Sequence, residues 1–122
     1  MDDRNLTAVA EQAAATSKVK RSAIEGCSVL FDDGHVAMGC RLEYADAALD
    51  QGAVSNALAA GRVHGSYRPL RIGVYSPIAE WPRPSKSALA QVAECAVGEV
   101  TLILSSGSGE RKVVLLSELL AG

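Results

Sequence analysis

Asp32-Asp33-Gly34 separates two strand-like runs, residues 27–31 and 35–41, and constrains the fold more than any other feature of the chain. Acidic residues and a glycine between apolar runs specify a tight reversal, so the two runs form an antiparallel β-hairpin. Read as a two-residue turn on Asp33-Gly34, the hairpin opposes residues whose numbers sum to 67, with Cys27 facing Cys40. The two thiols are then expected in contact, reduced and unbonded. A three-residue turn instead sets Cys27 across from Gly39 and places the cysteines on opposite faces of the sheet.

The remaining elements follow from periodicity and punctuation. Asp2 or Asp3 caps a first helix running to Ser17, with Leu6, Val9, Ala10 and Ala13 on one face, and a basic connector follows, Lys18-Val19-Lys20-Arg21. Residues 50–60 carry Ala53, Val54, Ala57 and Leu58 at helical spacing, with Gly61 as the stop. Residues 70–75 are a short strand, and 77–84 hold three prolines and the only tryptophan, which makes a loop. Residues 85–96 form a helix capped by Ser85, while 100–104 are an unbroken apolar run, as in a strand covered on both faces. Residues 105–109 turn the chain into a strand at 112–116, and 117–120 begin a last helical turn. The order α-β-β-α-β-α-β-β-α predicts one domain, 1–122, of α/β class: a three-layer α/β/α sandwich on a mixed five-stranded sheet. Crossovers through 50–60 and 85–96 place parallel strand pairs at its centre.

Composition narrows the function classes. Apolar residues are 48 % of the 122 and aromatics only 4 %, so the core is built of Ala, Val, Leu and Ile, and its elements approach closely. A net charge of −2 gives no electrostatic reason to bind nucleic acid or an anionic membrane. No apolar run nears the ~20 residues of a membrane span. The acidic start, Met1-Asp2-Asp3, differs from a signal peptide, and three cysteines suit a reducing compartment, so a cytoplasmic location is expected.

Several stretches resemble the small cytidine deaminases. Residues 22–31, Ser-Ala-Ile-Glu-Gly-Cys-Ser-Val-Leu-Phe, are similar to that family's first strand, Ser-x-Phe-x-Val-Gly-Ala-Ala. Asp33-Gly34 is similar to its Asp-Gly turn, and Gly39-Cys40-Arg41-Leu42-Glu43 to its Gly-x-Asn-x-Glu. The closing Ser117-Glu118-Leu119-Leu120-Ala121-Gly122 is similar to Glu-Leu-Leu-Pro-Gly. The resemblance spans the whole chain and implies the cytidine deaminase fold.

It also implies where chemistry should sit. Members of that family hold zinc with a Cys or His at the start of one core helix and two Cys at the start of the next. A Glu two residues after the first ligand shuttles the proton. On this pattern the first ligand falls on Gly52 and the catalytic Glu on Val54. The paired cysteines fall on Ser85 and Ala88, or one residue later on Lys86 and Leu89. Glycine and the alkyl side chains cannot ligate, and valine carries no proton. The sugar-contacting Asn falls on Arg41, and its companion Glu remains as Glu43.

Other residues do not rebuild the site. Cys27, Cys40, Cys95, His35 and His64 are the only soft ligands, and none has the paired spacing of a zinc site. The cysteines read as buried small hydrophobes and the histidines as surface groups. Trp81 reads as a lid over the core, with contact to a ligand or partner as the alternative. Lys86 is expected near Asp50, because a cation at a helix N-terminus needs an acid to offset it. The small residues Ala53, Ala57, Ala59, Ala60 and Gly61 leave room for a second copy.

The expectation is a cytidine deaminase-like protein without catalysis and without cofactor, a homo-oligomer (dimer or tetramer) or a subunit beside a protein partner. Two alternatives stand beside it. One is a hydrolase acting on a nucleoside-like substrate through non-standard residues, and the other a non-catalytic nucleoside-binding module using Arg41, Glu43 and Trp81.

Overall fold

The computed structural model describes residues 1–122. Helix α1 (Asp3–Ala14) leads through a connector to strands β1 (Gly26–Phe31) and β2 (Val36–Cys40). After a single 3-10 turn at Ala47–Leu49 come α2 (Ala53–His64), β3 (Pro69–Tyr75), α3 (Lys86–Cys95), β4 (Thr101–Ser105), β5 (Arg111–Leu115) and α4 (Leu116–Ala121). The predicted order is therefore observed. Asp2 is the cap of α1, its carboxylate accepting the Asn5 N–H at 2.8 Å. The helix ends at Ala14, ahead of Ser17, whose hydroxyl is instead donated to the Arg41 carbonyl.

One mixed sheet orders its five strands β2-β1-β3-β4-β5. Only β3 and β4 are a parallel neighbouring pair, joined through α3. The α2 crossover also links strands of like direction, β2 and β3, but β1 lies between them and pairs antiparallel with both. That corrects the expectation of parallel neighbours at both crossovers: the hairpin folds β1 into the centre.

The hairpin register is also corrected. Cys27 pairs with Gly39, not with Cys40. The Phe31 N–H donates to the His35 carbonyl at 2.9 Å and the Gly34 N–H to Phe31 at 3.0 Å, leaving a three-residue turn. Gly34 takes φ 87°, the left-handed conformation that ends such a turn and that the two-residue reading omitted.

The two faces of the sheet are unequal. α1 alone covers one, where the Ser28 hydroxyl donates to the Leu6 carbonyl at 2.6 Å. The other carries the main core, in which Cys27, Val29, Phe31, Ile72, Val74 and Leu102 meet α2, α3 and the start of α4. Close packing here depends on a missing side chain: a Cβ on Gly39 would lie 2.2 Å from the Ala57 nitrogen. α2 runs past Gly61 to Gly65, whose φ of 104° stops it. Gly61 is buried in the helix interior because the Phe31 ring fills the space a side chain would need. Its helix-breaking tendency, worth at most ~1 kcal/mol relative to Ala, loses to that packing.

Candidate functional site

α2 and α3 begin side by side at one end of the sheet. Gly52 is the cap residue of α2 and offers no side chain to its amides. Ser85 caps α3, its hydroxyl accepting the Ala88 N–H at 3.2 Å. The Ser55 hydroxyl donates to Gln91 Oε1 at 2.6 Å and ties the two helices together. Between them opens a cavity of about 460 Å³, lined by Arg41, Asp50, Gly52, Ser55, Ser85 and Ser87 among others. Two helix N-termini border this space and contribute partial positive charge to it, beside the Arg41 and Asp50 side chains.

The residues singled out by sequence separate into two groups. Gly52, Ser85 and Arg41 come together in this cavity. Val54, Ala88 and Leu89 do not; they are 1 %, 3 % and 3 % exposed and belong to the core. Each packs as an alkyl group against the sheet. Lys86 is exposed and leaves the cavity on the other flank of α3, beside Trp81. Trp81 is half-buried and packs against the core.

Asp50 corrects the pairing expected with Lys86. It accepts two hydrogen bonds from Arg21 Nη2, at 2.6 and 2.8 Å, and one from the Tyr44 N–H at 2.9 Å. Arg41 Nη2 stands 3.6 Å away. The Arg21 guanidinium and the Tyr44 amide together hold the Asp50 carboxyl below its usual range. Lys86 forms no ion pair.

Glu43 is the fully enclosed member of this cluster. Its Oε1 accepts the backbone N–H groups of Lys20 and Arg21, both at 2.7 Å, and of Ser22 at 3.2 Å. Its Oε2 accepts Arg41 Nε at 2.8 Å. The Arg21 amide first and the Arg41 guanidinium second favour the ionised form and hold this carboxyl far below its usual range. The basic connector is thus wrapped around a carboxylate, and Arg21 and Arg41 bridge that carboxylate to Asp50. Arg21 was missed in the sequence because its acidic partner lies 29 residues away.

A zinc ion does not fit the residues present. Gly52, Ser85 and Ala88 supply no thiolate or imidazole, and Glu43 is already enclosed by its four donors. No group of three or more His, Cys, Asp or Glu is arranged to hold a metal ion. Cys27 is buried in the sheet, where loss of solvent raises its thiol well above the usual value. His35 and His64 stack on each other with centroids 3.5 Å apart, where the hairpin turn meets the end of α2.

No protein-family model matches the chain, and no curated protein matches it in sequence. Solved structures do match. The cytidine deaminase of Burkholderia pseudomallei superposes with a TM-score of 0.90 at 20 % identity, over 98 % of this chain and 96 % of that one. The cytidine deaminase of Mycobacterium leprae gives 0.83 at 19 % identity, over 100 % and 99 %. That of Mycobacterium tuberculosis gives 0.77 at 26 % identity, over 84 % of each chain. The fold implied by the sequence resemblance is therefore the fold observed.

Proposed function

We propose that this protein keeps the cytidine deaminase fold without zinc-dependent deamination and serves as a structural or interaction subunit. One observation carries the reading. At the starts of α2 and α3, where the family resemblance puts its ligands and its proton shuttle, stand Gly52, Val54, Ser85 and Ala88. The one-residue-later register supplies Lys86 and Leu89 and does no better. Burial of Val54 and Ala88 among alkyl groups supports the same view, since a charged replacement there would lose solvent without a partner.

A subunit role draws support from the outer face of α2. Ala53, Ala57 and Gly61 are consumed by packing within the domain, but Ala59 and Ala60 face outward beside Val63, which is 88 % exposed. Small and apolar groups on one helix face permit close approach of a second chain. We expect a homodimer or homotetramer, and light scattering of the purified protein at micromolar concentration tests it. A monomeric mass would leave a heterologous partner as the only form of the subunit reading. No helix is long and apolar enough to cross a membrane, and a cytoplasmic location is part of the proposal.

The cavity beside Arg41 favours a second reading, retention of a nucleoside without turnover. Glu43 weighs against it, because its carboxylate is enclosed by the connector and Arg41 and presents no surface to a sugar. Cytidine or uridine at millimolar concentration raises the melting temperature if the pocket still binds, through linkage to the folded state. An unchanged melting temperature retires the binding reading.

A further inference from the structure

A second cavity, of about 360 Å³, lies on the opposite flank of α3 from the first, lined by the start of α3, β4, β5, α4 and the proline-rich loop. Leu104 and Leu119 contribute to its apolar floor and Trp81 to its wall. Lys112 stands directly across from Leu104 in the β4–β5 ladder, so its stem rises from the same face of the sheet. Arg83 and Lys86 join it at the rim. None of these three cations is within ion-pair distance of a carboxylate. Glu118, the acidic residue of the lining, accepts the Leu115 N–H at 3.3 Å at the start of α4.

Lys86 makes the arrangement informative. It is the first residue of α3, where the helix dipole disfavours a cation. Asp50, the acid that would have offset it, is engaged by Arg21 and Arg41. The rim thus gathers three positive groups around an apolar floor and an indole, with Glu118 the one acidic side chain of the lining.

We propose that this cavity binds a small organic anion with a flat apolar body. The body lies against Trp81 and the leucine floor, and its phosphate or carboxylate sits among Arg83, Lys86 and Lys112. Arginine and lysine donors to such groups are charge-assisted and stronger than neutral hydrogen bonds. Aromatic faces hold flat ligands by offset stacking.

Trp81 is the only tryptophan, so indole fluorescence of the intact protein, excited at wavelengths beyond tyrosine absorption, reports from this cavity. Adenosine 5′-monophosphate supplies the phosphate form, benzoate the carboxylate form, and adenosine the same flat body without charge. The expected result is a saturable change with at least one anion below millimolar concentration, weakened by salt. Adenosine should bind about tenfold more weakly than its monophosphate, if the phosphate is the favoured group, or benzoate should bind where benzamide does not; tenfold corresponds to about 1.4 kcal/mol. Lys86→Gln and Lys112→Gln, both at exposed positions, should each weaken the anion several-fold without lowering the melting temperature. No saturable change with either anion overturns the proposal. So does equal affinity for charged and uncharged members of both pairs, or undiminished affinity in both variants.

Discussion

Gly39 of β2 and Ala57 of α2 meet backbone to backbone, close enough that a Cβ on Gly39 would fall 2.2 Å from the Ala57 nitrogen. The obstructing atoms belong to a helix backbone and cannot swing aside. Gly39→Ala should therefore destabilise the fold by about 1–3 kcal/mol or more, the range for overpacking. Gly98→Ala, with nothing within 4 Å of its Cβ, should be neutral or slightly stabilising. Urea midpoints of the two variants check the contrast, and equal midpoints would refute the packing.

Glu43 makes acid stability a direct readout of its cluster. Its carboxyl is depressed in the folded state, so the unfolded chain binds the proton first. The stabilisation is complete above the ordinary Glu range near ~4.3 and is lost as pH falls through and below it. Glu43→Gln should be less stable than the parent at neutral pH, and the gap should narrow on acidification. Asp33, also depressed, acts in the same window in both proteins and cancels, while Asp50 is coupled to Glu43 through Arg21 and Arg41, so the gap reports the linked pair. A gap that stays constant from pH 7 to pH 3 would contradict the account.

Cys27 should be chemically silent. It is fully buried, desolvation raises its thiol, and the register puts Cys40 on the other face of the hairpin. An aromatic disulfide reagent should modify Cys40 and Cys95, both half-buried, well before Cys27, which reacts only on unfolding. Mild oxidation should form no Cys27–Cys40 bridge. Peptide mapping that finds early labelling of Cys27, or that bridge, would show the register to be wrong.

The same hairpin shows what was legible in the sequence. Its position followed from Asp32-Asp33-Gly34, but its register turned on one residue, because two- and three-residue turns differ only in the conformation Gly34 adopts. Gly61 was misread as a helix stop for a similar reason: the Phe31 ring that requires a glycine there comes from a strand thirty positions earlier. The start of α3 was located from Ser85, a local cap signal, whereas α2 begins at Ala53, three residues after the start expected at 50. Which acid each cation would meet was not local. Asp50 is claimed by Arg21 from the connector and by Arg41 from the end of the hairpin, and only the assembled fold brings those segments beside it.

Zinc content measured together with turnover tests the central claim most directly. Protein expressed and purified with zinc supplied should carry no stoichiometric metal and should not convert cytidine or deoxycytidine to the uracil nucleoside. One zinc per chain by elemental analysis, or turnover that a chelator abolishes and zinc restores, would contradict the account.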